Sequence, residues 1–239
     1  MPEIATAFQT AFYMVVAFDP DLMEIVGRSL QVNFAAVGAA ILVGLPLGAA
    51  IAIFHFPGRK VLAVFLNALM GMPPVVVGLI VYLLLSRAGP FGVLGLLFTP
   101  AAMIIAQFLL ILPIIAALTR QTVEDLWTEY REQLRSLNAS LPQTLVTLLW
   151  EGRFSLSTTV LAGFGRASGE VGAVMIVGGN IDHLTRIMTT AIALEVSKGD
   201  LSLALGLGII LITLSVFISG AATLMNEFAR LRFQTPGNL

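Results

Sequence analysis

Arg166 and Glu170 carry full charges inside a segment whose other residues, from 156 to 178, carry none. A charged side chain at the centre of a bilayer costs roughly 2.5–3.5 kcal/mol on insertion scales, so a sequence keeps one only where it is paired, hydrated or functional. The two residues are four apart, a spacing that places both on one face of a helix. Gly165 and Gly169 lie beside them and leave room for a close neighbour. The chemistry open to this group is an ion pair, the binding of an anion by arginine, or the movement of a proton.

The composition around these residues is that of a membrane protein. Of the 239 residues, 57% are hydrophobic and 11% are charged, and the mean hydropathy is +0.93. A soluble domain has about 25% charged residues, so we expect an integral membrane protein in contact with lipid. The net charge of −1 offers no basic surface to a nucleic acid. No cysteine occurs, and His55 and His183 are far apart, so neither a metal site nor a cofactor is expected.

Five apolar runs are long enough to cross a hydrocarbon core of about 30 Å as helices. They are residues 29–54, 61–86, 100–118, 157–178 and 201–225. The sequence therefore predicts an all-α integral membrane fold with about five transmembrane helices. A shorter apolar run, residues 4–18, has no Lys or Arg before it, and we interpret it as a short N-terminal helix that is interfacial or partly inserted. We divide the chain into an N-terminal segment (1–27), a membrane domain (28–226) and a tail (227–239).

The distribution of Lys and Arg predicts the orientation in the membrane, because loops on the cytoplasmic side carry more of them. Eight lie at one end of the predicted spans and four at the other. The eight are Arg59, Lys60, Arg120, Arg131, Arg135, Arg153, Arg230 and Arg232, and the four are Arg28, Arg87, Arg186 and Lys198. We therefore expect the N-terminus outside, the C-terminus in the cytoplasm, and the polar loop 119–153 on the cytoplasmic side.

The loop 119–153 carries a helix–turn–helix pattern. Apolar residues between 124 and 137 recur mostly at spacings of three and four, which predicts a helix at the membrane surface. Asn138 ends the pattern, and asparagine tolerates the left-handed backbone that closes a helix. Ser140 and Gln143 then have the spacing of a capping box at the start of a second helix. Such a short, rigid helix presents a surface to a partner, or it packs on its own membrane domain alone.

Residues 132–140, with the sequence Glu-Gln-Leu-Arg-Ser-Leu-Asn-Ala-Ser, resemble the EAA loop of ABC importer permeases. The matching residues are Glu132, Leu137, Ala139 and Ser140. Asn138 occupies the position of the motif's glycine, and Gln133 and Leu134 occupy those of its two alanines. The resemblance implies a type I ABC importer permease core. It also implies that this loop, as far as Gln143, forms a coupling helix that sits in a groove of an ATPase subunit.

Further segments resemble the molybdate and tungstate permeases of this family. They are residues 72–78 and 164–173, while residues 174–192 are most similar to the tungstate branch. The resemblance implies a membrane subunit that translocates tungstate into the cytoplasm of a prokaryote, with molybdate or a sulfate-type oxyanion as the alternative. It also implies a homodimer in the inner membrane, ATP-binding ABC subunits docked on residues 132–143, and an extracytoplasmic substrate-binding protein. The chain has no G-x-x-x-x-G-K-[ST] motif, so we expect it not to hydrolyse ATP itself.

Three roles are open for Arg166 and Glu170 in such a protein. The pair can hold the register of helices as a structural ion pair. It can line the translocation path at the dimer interface, together with Gly165 and Gly169, because the planar fork of arginine suits an oxyanion. It can also act as a gate whose charges exchange partners between two states.

Two other classes of protein fit parts of the sequence. A stand-alone secondary transporter or channel could use buried charges for proton coupling, but it does not need the loop 119–153. An intramembrane enzyme needs a nucleophile beside a base, and Ser157, Ser168 and Thr213 have no histidine near them in the sequence. We therefore expect no catalytic residue in this chain.

Overall fold

The computed structural model describes residues 9, 12, 13, 15–17 and 19–233, with side chains as far as residue 228. From residue 20 onward the described chain forms nine α-helices and one 3₁₀ helix (Gly92–Leu94), and no described residue lies in a strand. The α-helices are α1 (Pro20–Ile53), α2 (Arg59–Met70), α3 (Pro74–Leu85), α4 (Pro100–Ser136), α5 (Leu141–Glu151), α6 (Arg153–Ser168), α7 (Gly172–Gly178), α8 (Met188–Lys198) and α9 (Leu201–Phe233). The predicted all-α fold is confirmed.

Three helices, α1, α4 and α9, are each long and apolar enough to cross a membrane. Two pairs of shorter helices pass the same test together, α2 with α3 and α6 with α7. The first pair is bent by 102° and the second by 57°, each at a short break. Counting each bent pair as one span gives up to five spans, in agreement with the five predicted apolar runs.

The break between α2 and α3 follows from the sequence Pro73-Pro74. Pro73 has an extended backbone, with φ −61° and ψ 125°, because a residue before proline is driven out of the helical region. Pro46 and Pro113 lie inside α1 and α4 without ending them. The predicted second span is therefore two helices at nearly a right angle, not one kinked helix.

α1 begins at Pro20, ahead of residue 29, where the first span is predicted. The Oδ1 atom of Asp19 accepts hydrogen bonds from the N–H groups of Asp21 (3.1 Å) and Leu22 (3.2 Å), so Asp19 caps the helix. The predicted boundary between residues 27 and 28 falls inside this helix. Most of the predicted interfacial helix, residues 4–18, lies outside the described residues, as do residues 234–239 of the tail.

α4 continues far beyond the predicted third span, which ends at residue 118. The helix has 37 residues and is about 55 Å long at 1.5 Å per residue. The surface helix predicted at 124–137 is not a separate element, because it is the last part of α4. No glycine or proline occurs between residues 114 and 136 to interrupt the helix. Only the second helix of the loop, α5, is separate.

Helices α1 and α4 run parallel and touch through small residues. A Cβ atom added to Gly44 would lie 2.8 Å from Cγ2 of Ile115. A Cβ atom added to Gly48 would overlap the carbonyl oxygen of Ala116. Glycine at these two positions therefore permits the close approach of the two helix backbones.

The remaining helices pack around this pair. α7 lies against α3, where a Cβ atom added to Gly78 would lie 2.7 Å from the Cα of Ala173. α8 and α9 pack on the first turns of α1 through an apolar cluster that includes Leu22, Met188 and Leu207. These contacts fix α7 and α8 in place next to the segment that contains Arg166 and Glu170.

Candidate functional site

Arg166 and Glu170 form an ion pair at the break between α6 and α7. The Nη1 atom of Arg166 lies 2.8 Å from Oε2 of Glu170. Glu170 is 2% exposed, whereas the side chain of Arg166 is 31% exposed. Their spacing alone predicts that both residues lie on one uninterrupted helix. In the structure α6 ends at Ser168, so Glu170 lies beyond its end. The pair forms across the break.

Glu170 also holds two neighbouring helices through its other atoms. Its Oε1 atom accepts a hydrogen bond of 3.0 Å from the N–H of Ala173, in the first turn of α7. Its carbonyl oxygen accepts one of 2.8 Å from the hydroxyl of Thr189, at the start of α8. The carboxylate thus satisfies an N–H group that the start of a helix leaves without a helical partner. Glu170 therefore joins α6, α7 and α8 inside the protein.

Polar side chains of α1 and α4 tie the same region together. The Nε2 atom of Gln107 donates to Oδ1 of Asn33 at 3.1 Å and to the carbonyl of Ala167 at 3.3 Å. The hydroxyl of Ser29 accepts a hydrogen bond of 2.7 Å from the N–H of Met188. Local sequence patterns do not reveal these contacts, because each joins residues at least 60 positions apart.

One face of α6 consists of small residues and is exposed. These residues are Ser155, Thr158, Ala162 and Gly165, and Gly169, directly after the end of α6, continues their alternating spacings of three and four. A Cβ atom added to Gly165 would meet no atom within 4 Å. Gly165 and Gly169 therefore lie on an uncovered helix face beside Arg166, and not at a contact with another helix of the same chain.

The turn between α4 and α5 has the backbone that its sequence predicts. Asn138 has a φ of +50°. Its N–H donates to the carbonyl of Arg135, and the N–H of Ala139 donates to the carbonyl of Leu134, both at 3.0 Å. These two bonds make a Schellman motif, which closes the end of α4. The predicted left-handed conformation of Asn138 is confirmed.

Ser140 and Gln143 fix the start of α5. The Oε1 atom of Gln143 accepts hydrogen bonds of 2.8 Å from both the N–H and the hydroxyl of Ser140. The two residues form the predicted capping box. Only residues 137–140 separate α4 from α5, so the turn between the two helices has a defined geometry at both ends.

α5 has two different faces. Leu148 is buried and packs with Ala52 near the end of α1 and with Val123 in α4, and Ala139 packs against the same cluster. Glu132, near the end of α4, is exposed. The apolar residues that are also exposed here are Leu137, Leu141, Val146 and Trp150. The described part of the membrane domain therefore leaves this apolar surface uncovered.

Arg59 ties the end of α1 to α4. Its guanidinium donates to the carbonyls of Ile51 and Ala52, each at 2.8 Å, and its Nη2 atom lies 2.7 Å from Oε1 of Glu124. Arg120 pairs with the other oxygen of Glu124 at 2.5 Å. Two arginines that the sequence marks only as positive charges near the span ends thus share one carboxylate.

Charged residues also meet where the α7–α8 loop touches the first turns of α1. Oε2 of Glu24 lies 2.8 Å from Nδ1 of His183, Oε1 of Glu24 lies 3.0 Å from Arg28, and Arg186 pairs with Asp182 at 2.7 Å. The hydrogen bond to Glu24, and then the negative charges of Glu24 and Asp182, raise the pKa of His183. Within the part of the chain that the structure describes, no cluster of three or more His, Asp or Glu side chains is placed to hold a metal ion.

The amino-acid sequence of this chain is similar to those of known proteins. A family model described as binding-protein-dependent transport system inner membrane component matches residues 44–230. A tungstate uptake system permease protein of Peptoclostridium acidaminophilum is 39% identical, over 95% of this chain and 100% of its own length. A probable anion ABC transporter permease protein of Haloferax volcanii is 38% identical, over 90% of this chain and 93% of its own length. A tungstate uptake system permease protein of Campylobacter jejuni is 35% identical, over 89% of each chain.

The family match agrees with the resemblance seen in the sequence. Several sulfate transport system permease proteins also match, at a lower identity of 24–29%. The matched segment includes both the ion pair at the α6–α7 break and the α4–α5 turn. The chain is thus a multi-pass inner membrane protein and belongs to the binding-protein-dependent transport system inner membrane components, the permease subunits of ABC transporters.

Proposed function

We propose that this chain is the membrane-spanning permease subunit of an ABC importer that moves tungstate into the cytoplasm. The observation that carries the proposal is the identity, over nearly the full length, to two tungstate uptake permeases. The sulfate transport permeases are more distant, which favours tungstate over a sulfate-type oxyanion. Molybdate has the same charge and shape as tungstate, so a substrate-binding protein is needed to choose between the two.

The ion pair supports a path for an oxyanion along the uncovered face of α6. Glu170 is buried and engaged on both carboxylate oxygens, whereas Arg166 is partly exposed next to Gly165. The guanidinium offers several N–H donors in one plane, which suits an oxyanion, and the nearby carboxylate offsets its charge. A residue on a transport path must bind weakly enough to release its ion. We assign Arg166 to the path and Glu170 to the frame that positions it.

A second copy of the chain completes the path in this proposal. The small residues of α6 recur at the spacings that let two helix backbones approach closely. The described chain leaves this face uncovered, and a dianion crossing a membrane needs protein or water around it on all sides. The permease is therefore a homodimer with α6 at its interface.

The α4–α5 turn is the docking element for an ATP-binding subunit. Its residues are Glu132, Leu137, Asn138, Ala139, Ser140 and Gln143. The turn is rigid at both ends, and Leu148 joins it to α1 and α4, so a movement of the docked subunit reaches the helices around the ion pair. ATP hydrolysis takes place on that separate subunit, because this chain has no phosphate-binding glycine loop.

The position of the docking turn also determines how the chain is oriented in the membrane. With the α4–α5 turn in the cytoplasm, the N-terminus lies outside and the C-terminus lies in the cytoplasm. The charged group around Glu24 and His183 then faces outward, where an extracytoplasmic substrate-binding protein delivers the anion. Alternating access arises as the helices move around the path between the two copies.

The test is uptake by purified components in liposomes. We expect tungstate to accumulate only when the chain, its ATP-binding subunit, its substrate-binding protein and ATP are all present. Molybdate in excess should compete through the binding protein, and sulfate should not. Tungstate uptake by this chain alone would indicate a stand-alone transporter or channel and would overturn the proposal. ATP hydrolysis by the chain alone would overturn the assignment of catalysis to another subunit.

A further inference from the structure

An open cleft of about 270 Å³ lies behind the turn between α4 and α5. The end of α1, the last turns of α4 and the first turn of α5 form its walls. The lining includes apolar residues such as Leu134 and Leu141, together with His55, Trp127 and Arg135. Leu141 is also one of the exposed residues of the docking surface, so the cleft and that surface are continuous.

Two polar groups of the cleft, on Trp127 and Arg135, only donate hydrogen bonds, whereas the hydroxyl of Thr144 and the ring of His55 can also accept. Arg135 carries a permanent positive charge and only donates, and the indole N–H of Trp127 is also a donor alone. The Nδ1 atom of His55 donates to the carbonyl of Ile53 at 3.1 Å, so the Nε2 atom of the neutral ring is left as an acceptor. No Asp or Glu is among the described residues that line the cleft.

Two of these donors lack an acceptor. The Nε1 atom of Trp127 is buried and makes no hydrogen bond within the described chain. Arg135 is exposed, and its side chain forms no hydrogen bond or ion pair with any described residue. Arg59 and Arg120, whose side chains are less exposed, pair with Glu124 instead. Because a buried N–H group in a protein nearly always has a partner, the unpaired indole N–H of Trp127 indicates that an acceptor is missing at this point of the cleft.

We propose that this cleft receives an acidic side chain of the ATP-binding subunit, a contact separate from the apolar docking of the turn. The inference rests on the proposed function, in which that subunit docks on the turn. A carboxylate has two acceptor oxygens, so one Asp or Glu can pair with the exposed Arg135 and, after a small movement of the indole that uncovers its buried N–H, also accept from Trp127. The continuity with the docking surface favours a protein side chain over a free anion, because the docked subunit covers the entrance. The acidic side chain then fixes the angle of the turn on its partner.

The test is the assembly of the full-length chain with its ATP-binding subunit, in nanodiscs of neutral lipid. Trp127→Phe removes the N–H and keeps the ring, and Arg135→Gln removes the charge. Arg131→Gln is the matched control, since Arg131 is an exposed arginine one turn away on α4 that does not line the cleft. We expect each of the two cleft variants to weaken assembly roughly 10- to 100-fold, the loss of a hydrogen bond to a charged group, and the control to bind like wild type. A charge reversal at Arg135 should be rescued by one Asp→Lys or Glu→Lys change in the partner.

The outcomes separate this proposal from the proposed function. If the wild-type chain assembles and both cleft variants bind as tightly as the control, the cleft proposal fails while the permease function stands. If the wild-type chain does not assemble with an ATP-binding subunit, the proposed function itself fails. If the effect of Arg135→Gln appears only with anionic lipid, or if the wild-type chain alone binds free tungstate and Arg135→Gln abolishes it, the cleft has another ligand and the proposal is overturned.

Discussion

Both carboxylate oxygens of Glu170 are engaged inside the protein, one by Arg166 and the other by the N–H of Ala173. A buried charge pair adds little stability by itself, but removing one partner leaves an uncompensated charge. The two residues therefore differ in what they can do. Glu170 sets the geometry of the α6–α7 break, while Arg166 keeps part of its guanidinium exposed.

Glu170→Gln should destabilise the folded protein by about 1–3 kcal/mol, because it leaves Arg166 without its counter-ion. The loss should be smaller than for a completely buried pair, since the side chain of Arg166 is 31% exposed. The double variant Arg166→Gln/Glu170→Gln should recover part of it, because no unpaired charge remains. Thermal unfolding of the wild type, both single variants and the double variant gives the coupling free energy. Strictly additive losses would contradict the pairing.

The contact between Glu24 and His183 should depend on pH. Because the folded state raises the pKa of His183 above its ordinary 6.5, it binds this proton more tightly than the unfolded state. The stabilisation is therefore present in full below pH 6.5 and is lost as the pH rises through the raised pKa. His183→Ala should lower the unfolding temperature at acid pH and have no such effect at alkaline pH. Arg87→Ala is the control substitution, because Arg87 is exposed. A difference in unfolding temperature between wild type and His183→Ala that is the same at acid and alkaline pH would refute this account.

At the scale of helices and turns, the sequence predicts the features that depend on residues close together in the chain. It does not predict where the longer helices end. Asn138, Ser140 and Gln143 interact within a few residues of one another, so their roles in the turn follow from the sequence. The break after Ser168 does not, because Gly165 and Gly169 are as compatible with a closely packed continuous helix as with its end. The continuation of α4 past residue 118 is also hidden, since an amphipathic period looks the same in a separate helix and in the end of a longer one.

The turn gives a prediction that separates backbone strain from side-chain loss. Asn138→Gly keeps the left-handed backbone and should leave coupling intact. Asn138→Val should cost about 1–2 kcal/mol at this residue, because a Cβ-branched side chain clashes in that conformation. We expect the valine variant to retain the folded membrane domain but to stimulate its ATP-binding subunit poorly in a reconstituted ATPase assay. Equal stimulation by the glycine and valine variants would show that the turn geometry is not needed for coupling.

For the whole molecule, the uncovered face of α6 is the feature that a single chain does not explain. Its residues are small and exposed, from Ser155 to Gly169, although α6 lies between packed helices on its other sides. The fold class and the family can be predicted from apolar runs and short motifs. The way several chains assemble cannot, because residues that meet another chain look like any other small residues in a sequence.

The chain has no cysteine, so single cysteine variants test the proposed dimer without background. Ala162→Cys, on the exposed face of α6, should form a disulfide-linked dimer in membranes, since two symmetry-related positions at a helix contact come within reach of a disulfide. Val216→Cys is the comparison, because Val216 is exposed on α9. Cross-linking at position 216 without cross-linking at position 162 would move the interface to α9.

α4 is one unbroken helix of 37 residues, and α1 lies against it through Gly44 and Gly48. Together they form one closely packed pair that reaches from one surface of the protein to the other and ends in the α4–α5 turn. If this helix pair tilts about its middle as one unit, its two ends move at the same time and in opposite directions. A partner that displaces the turn would then also displace the opposite end of the helix pair, and a partner at the opposite surface would displace the turn. This coupling needs no chain of side-chain rearrangements between the two ends.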